Sequence, residues 1–337
     1  VEASRISKYN YTAILLSAIM EIRLGDFDSA DLKLAFLAKV APNESSTYEY
    51  ANLKLLKNDY SAAEKFAKKS IEINKQMLPA YLVLGEVYSR QNDIENAEKI
   101  FQKALFNDLD CARLHLEWGK AYLRFFDFEK AEIELSKAVE MNENFLEAKT
   151  VKSLVDALNG DFELLDSLKE RNGGNVYVQE AMGLEYLASC KFEDAVDMFK
   201  KALRSDKRRI YNWLYLARAY RELNNKDKTK EYFEKFTLEC PHYVQGYVEY
   251  AKWLMSISDY ADAQRKLRKA EKLDSNNIDL LNLLFFTSYT LVKESNCDYN
   301  IKEAISLADK IKDLGRFDYE QEYAELESIL VNIHRTS

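Results

Sequence analysis

The stretch Asp59-Tyr-Ser-Ala-Ala63 decides the fold, because its pattern of Asp, an aromatic residue, two variable residues and Ala recurs along the chain. Other copies and variants begin at Asp26, Asp93, Asp127, Asp161, Lys191, Asn225 and Asp259. The last residues of the eight copies fall at 30, 63, 97, 131, 165, 195, 229 and 263, so successive copies differ by 33, 34, 34, 34, 30, 34 and 34. A ninth unit follows at Ala304 after a gap of 41. A period this regular predicts an array of stacked repeats.

Each unit is predicted to be a pair of helices, called here helix A and helix B in chain order. Small residues recur at one position of each helix, where they let two helices cross closely. In helix A they are Ala18, Ala51, Gly85, Gly119, Ser153, Gly183, Ala217 and Ala251. The turn between the helices holds residues that tolerate a left-handed backbone, namely Gly25, Asn58, Asn92, Gly160 and Asn224. The Asp that follows can cap helix B.

The period and the small residues resemble those of the tetratricopeptide repeat. In repeat three the residues at the family's signature offsets are Tyr81, Leu84, Gly85, Tyr88, Ala97, Phe101 and Ala104. The resemblance covers nearly the whole chain. It implies an all-α, right-handed α-solenoid of about nine helical hairpins with a C-terminal capping helix, in which the helices A line a concave groove.

The pattern also predicts how the chain is divided. Residues 1–10 form an N-terminal lead-in, 11–145 repeats one to four, 146–175 a shortened repeat five, 176–316 repeats six to nine with an insertion near 293–300, and 317–337 a C-terminal capping helix and tail. Repeat five ends at Asn172-Gly-Gly-Asn175, where adjacent glycines favour a turn. We predict a local break in the array there. The alternative is a deletion that the stacking tolerates with little bend.

The composition argues against several functional classes. The net charge of −8 is unlike that of a dedicated nucleic-acid binder, and no apolar run reaches the roughly 18 residues that a membrane helix needs. We therefore expect no membrane insertion in this chain. The sequence has no phosphate-binding glycine loop, metal-ligand motif or nucleophile motif. We expect no enzymatic activity, no cofactor and no metal.

The isolated cysteines and histidines indicate little about the function of the chain. The cysteines Cys111, Cys190, Cys240 and Cys297 form no CxxC pair, which is typical of unpaired thiols. This slightly favours a cytoplasmic location and leaves a periplasmic one open. His115 takes a position that holds Tyr or Trp in other repeats, so a packing role is predicted for it. The chain begins at Val1 and not at Met, which indicates a processed protein or a segment of a longer one.

The candidate binding surface consists of basic, aromatic and apolar residues at groove-facing positions of helix A. They are Arg90, Arg113, Lys120, Arg124, Tyr177, Tyr211, Leu214, Arg218, Arg221, Lys252 and Met255. Arg218 and Arg221 lie three residues apart and share a helix face. Basic groups among apolar side chains suit a peptide with apolar anchors and carboxylates better than a bare phosphate chain. An ordinary solvated helix face is the alternative reading.

The resemblance supports one leading functional hypothesis. Members of this family can hold acidic tails with a clamp of Lys, Asn and Arg residues from three consecutive repeats, but no three consecutive repeats supply that set here. We expect a non-catalytic scaffold or adaptor that binds a protein segment in its groove, as an assembly factor of a larger complex.

Two other functional classes and one further contact stay open. Trp213, Tyr215, Tyr250 and Trp253 make repeats seven and eight similar to the half-repeats of RNA-processing proteins. The chain is alternatively the regulatory or substrate-docking arm of a larger enzyme. The apolar first helix is expected to contact another domain or a second protomer.

Overall fold

The computed structural model of the protein describes residues 10–295 and 298–336, and those residues form nineteen helices with no strand. Helices α1 to α18 make nine successive A–B pairs, and α19 follows them. The chain divides into two compact units, Val1–Ala181 and Met182–Ser337. The predicted all-α repeat fold is thereby confirmed. The predicted lead-in at 1–10 lies almost wholly outside the described residues.

The first unit contains α1 to α10 and the start of α11. Their bounds are α1 Tyr11–Leu24, α2 Phe27–Val40, α3 Glu44–Leu56, α4 Tyr60–Ile73, α5 Leu78–Arg90, α6 Ile94–Phe106, α7 Ala112–Arg124, α8 Phe128–Met141, α9 Leu146–Leu158, α10 Glu163–Asn172 and α11 Val176–Ala188. The second unit contains the remainder. Its further helices are α12 Phe192–Ser205, α13 Tyr211–Glu222, α14 Lys226–Glu239, α15 Val244–Ser256, α16 Tyr260–Leu273, α17 Ile278–Ser295, α18 Asp298–Asp313 and α19 Glu320–Thr336.

The small residues at the repeat positions are where the two helices of a pair cross. The helix-B alanines Ala30, Ala63, Ala97, Ala131, Ala195 and Ala263 are fully buried. In helix A, a Cβ built on Gly85 would lie 2.3 Å from Cζ of Phe101, and one on Gly183 would lie 2.5 Å from Cε1 of Phe199. The aromatic ring of helix B thus fills the space that the glycine leaves. This contact explains why the period is visible in the sequence.

The turn between the helices of a pair has the same geometry in repeats one to eight. The first or second residue after helix A has positive φ in each of these repeats: Gly25, Asn58, Asn92, Phe126, Gly160, Cys190, Asn224 and Ser258. Five of these were predicted from their type. Phe126, Cys190 and Ser258 adopt the same conformation although their side chains disfavour it.

A capping Asp begins most of the helices B, as predicted. The side chains of Asp26, Asp59, Asp93, Asp127 and Asp259 each accept a hydrogen bond from the backbone N–H three residues later. In repeat seven Asn225 takes this role. Each cap satisfies one of the N–H groups that a helix leaves without an internal partner.

Removal of one cap should therefore weaken one repeat by a predictable amount. Asp59 Oδ1 lies 3.1 Å from the Ala62 nitrogen. We expect Asp59→Ala to lower the free energy of unfolding by about 1 kcal/mol, measured by urea denaturation. Asp59→Asn keeps an acceptor at that position and should cost at most a few tenths of this value. An equal loss in both variants would show that the cap is not the source of the effect.

Repeat five is short, as the sequence indicates, but its second helix is packed. Helix α10 has 10 residues and ends before Gly173 and Gly174. Leu165, which replaces the usual small residue, is fully buried, and Leu168 is also buried. Helix α10 is therefore packed although a large residue stands at the usual small-residue position. Whether the array is broken here stays a prediction.

We expect brief proteolysis to cut the segment 172–175 before any other internal site. Its turn is tied by one backbone hydrogen bond, from the Asn175 nitrogen to the Asn172 oxygen at 2.8 Å, and its two glycines add conformational freedom. Mass spectrometry of the first fragments measures this. Even protection of residues 160–180 in hydrogen exchange would contradict it.

The end of the second unit departs from the regular repeat. Helix α17 has 18 residues where other helices A have 12 to 14, so it takes up the first part of the insertion predicted near 293–300. Residues 296 and 297, including Cys297, lie outside the described residues. Helix α19 follows α18, and Glu325 of α19 accepts hydrogen bonds from Tyr289 of α17 and forms an ion pair with Lys293 at 3.0 Å.

The first helix leaves much of its apolar surface exposed. Ala18 is its only buried residue in the described part of the chain. Leu16, Met20 and Leu24 are exposed. The expected contact of α1 with another domain or protomer stays a prediction.

Candidate functional site

Four basic residues of the predicted groove lie in the first unit, and each is already paired with a glutamate. Glu86 accepts from Arg90 Nε at 2.6 Å and from Arg124 at 3.1 Å. Glu147 accepts from Arg113 at 2.7 Å and from Lys120 at 2.5 Å. Arg124 and Arg113 reach a glutamate on the neighbouring helix A, so the pairs join consecutive repeats.

The positive charges of this cluster are neutralised by the glutamates beside them. Burial acts to lower the pKa of Lys120, but Glu117, Tyr177 and Glu147 outweigh it and hold that pKa above the ordinary lysine value. Burial acts to raise the pKa of Glu147, and its bonds to Lys120 and Arg113 reverse the shift. Tyr177 is half-buried and packs against the core of this unit. A ligand carboxylate would have to compete with internal glutamates for these cations.

In the second unit Arg218 is also engaged. Its Nε donates to Glu249 Oε2 at 2.8 Å, and a second guanidinium nitrogen donates to the other oxygen of the same carboxylate. The guanidinium carbon also lies 5.0 Å from the ring centroid of Tyr215. This two-point pair ties α13 to α15. A change of Arg218 to Glu would set two carboxylates against each other and so would disturb the fold as well as the surface.

The apolar residues predicted for this surface on α13 are not accessible. Tyr211 and Leu214 are both buried, at 7% and 3% exposure, and belong to the packing between helices. Three of the four aromatic residues on which the nucleic-acid hypothesis depended, Tyr215, Tyr250 and Trp253, are buried as well, and their faces are not open for bases to stack on. The fourth, Trp213, is half-buried and stacks on Tyr232.

Arg221, Lys252 and Met255 are the predicted site residues that stay accessible. Arg221 and Lys252 are exposed, and Met255 is half-buried. Arg221 pairs only with its neighbour Glu222, at 2.7 Å. Lys252 has no ion-pair partner within residues 10–295 and 298–336. The structure therefore narrows the candidate site of the second unit to these three.

A cavity of about 280 Å³ adjoins Arg221. It is lined by Arg221, Asn224, Lys226, Thr229, Trp253, Ser256 and Ile257. Lys252 and Ser256 lie four residues apart on α15 and so share a face. The lining offers two cationic groups, three small polar groups and the apolar surface of Trp253 and Ile257. This combination can hold one side chain that has both an aliphatic part and a carboxylate.

His115 takes part in a buried charge cluster that sequence reasoning missed. It stacks on Trp118, as its predicted packing role requires. Its Nδ1 also bonds Glu134, and its Nε2 lies 2.9 Å from Asp110 Oδ1. The bond to Glu134 is the main reason that the pKa of His115 lies above its usual value of 6.5. The sequence signal that could have predicted this cluster is a Glu at the helix-B position that faces a His of helix A.

Comparison with known proteins now bears on this architecture. The tetratricopeptide-repeat family profile matches residues 54–117 and, separately, 211–242. The chain therefore contains tetratricopeptide repeats. No curated protein matches its sequence.

The chain is similar to several solved structures. The human IFIT1 dimer with PPP-AAAA is 15% identical, with 94% of this chain and 81% of that chain covered and a TM-score of 0.59. At that identity the likeness to IFIT1 shows the fold alone. A tetratricopeptide repeat protein from Parabacteroides merdae is 14% identical, with 82% and 98% covered and a TM-score of 0.40. Yeast Tom70 is 14% identical, with 97% of each chain covered and a TM-score of 0.38.

Two other kinds of feature are absent from the described residues, a membrane-spanning helix and a metal site. No helix of the described chain combines the length and the apolar character required to span a bilayer. No group of three or more His, Cys, Asp or Glu side chains in residues 10–295 and 298–336 is arranged to hold a metal ion.

Proposed function

We propose that this tetratricopeptide-repeat protein is a non-catalytic adaptor that binds a segment of a partner protein on the helix-A side of repeats seven and eight, as an assembly factor of a larger complex. The cavity beside Arg221 carries the proposal. Tetratricopeptide repeats form scaffolds for protein interaction, and the chain has that architecture.

The chemistry of the cavity specifies the segment. Arg221 and Lys226 line it and favour a carboxylate, while the half-buried Ile257, beside the 5% of Trp253 that stays exposed, favours an apolar group. Lys252 adds a cation that has no internal partner in the described residues. The best ligand is an extended or helical segment with one apolar anchor flanked by Asp or Glu. In the first unit, by contrast, the glutamates already occupy the corresponding cations.

Charge reversal at the accessible cations tests this function. We expect Arg221→Glu/Lys252→Glu to weaken binding by at least about tenfold, because each charge-assisted contact contributes about 1.5 kcal/mol or more. Fluorescence anisotropy with synthetic peptides that carry one apolar anchor between acidic residues measures the change. Circular dichroism checks that the variant stays folded.

Helix B of repeat six supplies the control. Lys200→Glu/Lys201→Glu makes the same charge change on α12 and should leave binding within about twofold of the unmodified protein. If the control abolished binding while the change at Arg221 and Lys252 did not, the ligand would bind elsewhere and this function would be refuted.

A further inference from the structure

The helices B of repeats seven and eight carry a group of cations that lack internal partners. Lys230 on α14 and Lys269 on α16 are exposed, and neither has an ion-pair partner in the part of the chain that the structure describes. Lys266 also lacks a carboxylate partner there; its ammonium lies 4.5 Å from the ring centroid of Tyr250. Arg265 forms an ion pair only with Asp262 of its own helix. We call Lys230, Arg265, Lys266 and Lys269 the basic patch.

Tyr250 brings the two sides of the basic patch together. Its ring is buried and stacks on Phe233 of α14 at 5.0 Å, while its hydroxyl donates to Glu234 at 3.3 Å. Lys266 of α16 covers the other part of the ring. Lys230 lies one turn before Glu234 on the same face of α14. Two carboxylates therefore accompany the four cations of the patch, Glu234 beside Tyr250 and Asp262 paired with Arg265.

The charges of the patch act on one another. Burial is the main reason that the pKa of Lys266 is lowered, and the charges of Lys269, Arg265 and Lys230 lower it further against the opposing effect of Glu234. For most other lysines with a shifted pKa, the pKa is raised, because a carboxylate lies beside the ammonium group. Glu231 raises the pKa of Lys228 in this way. On α12, Lys201 pairs with Asp197 at 2.8 Å. An anion supplied from outside would relieve the repulsion within the patch.

Exposed leucines lie beside these cations. Leu238 follows Lys230 and Glu234 at intervals of four residues on α14, and its exposure is 76%. Leu273 follows Lys266 and Lys269 on the same face of α16, and its exposure is 41%. A bare phosphate chain would leave both leucines in water. A peptide with acidic and aliphatic residues would cover them.

We propose that the basic patch, with Leu238 and Leu273, is a second docking site, and that its occupant is an acidic amphipathic segment of a partner protein. The carboxylates of that segment lie against Lys230, Lys266 and Lys269, and its aliphatic side chains lie on the two leucines. This site belongs to the helices B and does not depend on the proposed function of the helix-A side.

A short helix-forming peptide with Glu and Leu on one face, labelled with fluorescein, is the direct probe. We expect the full chain to bind it at low ionic strength and to bind a scrambled peptide of the same composition more weakly. Lys230→Gln/Lys269→Gln removes two exposed cations and should weaken binding about fivefold. Leu238→Ser/Leu273→Ser should weaken it to a similar extent. Lys99→Gln/Lys103→Gln on exposed positions of α6 is the matched control and should change nothing.

A second measurement does not depend on the variants. After reductive methylation with a ¹³C label, the NMR titration of Lys266 should move to higher pH when the peptide is added, because its carboxylates offset the neighbouring cations. Arg221→Glu/Lys252→Glu should leave both measurements unchanged, which separates this site from the helix-A site.

Three outcomes would overturn the inference. The first is no binding of the acidic peptide to the unmodified chain at low ionic strength. The second is an equal loss of binding in the control at Lys99 and Lys103. The third is tighter binding of single-stranded RNA or polyphosphate than of the peptide, with no effect of the leucine substitutions, which would assign the patch to phosphate chains.

Discussion

Gly85→Val is expected to lower the free energy of unfolding by at least about 3 kcal/mol, the upper range for an overpacked core. A Cβ at this position would lie 2.3 Å from Cζ and 2.6 Å from Cε1 of Phe101. The ring cannot move aside, because Phe101 is buried and stacked on Trp118 at 5.5 Å. The higher helix propensity of Val offsets only a few tenths of a kcal/mol of this loss. Urea denaturation measures the change.

The chain offers a glycine control and a test of the contact itself. Gly174 has no atom within 4 Å of a built Cβ, so Gly174→Val should change stability by at most about 0.5 kcal/mol. Phe101→Leu in the Gly85→Val background should restore part of the loss, so the two changes should be non-additive by about 1 kcal/mol or more. Additive losses would show that helix crossing at Gly85 does not depend on Phe101.

His115→Gln is expected to cost about 2 kcal/mol near pH 6, because it removes a charge-assisted hydrogen bond to the buried Glu134 and leaves that carboxylate with Lys137 as its remaining cationic partner in the described residues. The sign of the pH dependence follows from the two shifts. The pKa of His115 lies above 6.5, so its contribution is full below pH 6.5 and is lost as the pH rises through the folded value. Burial raises the pKa of Glu134, yet bonds from His115 and Lys137 outweigh it and hold that pKa below 4.5. The contribution of Glu134 is therefore full above pH 4.5 and is lost on acidification.

Stability from this pair should thus be greatest between pH 4.5 and 6.5. Urea midpoints of the unmodified protein should fall as the pH rises from 6.5, and His115→Gln should remove this slope. His242 is exposed, and His242→Gln should keep both the stability and the slope. A slope that survives in His115→Gln would show that another group causes it.

The local rules of the repeat could be predicted because they act within one hairpin. Each of these rules makes one residue type recur at a fixed position of the repeat: a small residue at the helix crossing, Asp at the cap of helix B, and Gly or Asn in the left-handed turn. The pairs of Arg124 with Glu86 and Arg218 with Glu249 join residues 38 and 31 apart in different repeats. They depend on how each helix is rotated about its axis, which the period does not specify.

The same limit explains why two apolar residues that were predicted for the candidate site, Tyr211 and Leu214, are buried in the structure. Family offsets assign Tyr211 and Leu214 to the groove face, but the close contact of neighbouring helices buries them. Offsets alone do not distinguish a residue that faces solvent from one that is covered by the next repeat. Arg221, Lys252 and Met255 lie in the C-terminal halves of their helices, where Arg221 and Lys252 are exposed and Met255 is half-buried.

The left-handed turns after helix A have a consequence for how this chain tolerates change. Phe126 and Cys190 adopt φ of 61° and 57°, a conformation that costs an ordinary side chain about 1 kcal/mol or more and that Gly or Asn adopts readily. Neither residue lines the cavity beside Arg221. Substitution of Phe126 or Cys190 by Gly or Asn would therefore raise the free energy of unfolding without altering either proposed docking surface. A descendant protein with such a substitution could then tolerate destabilising substitutions elsewhere, and so acquire a new partner while keeping its fold.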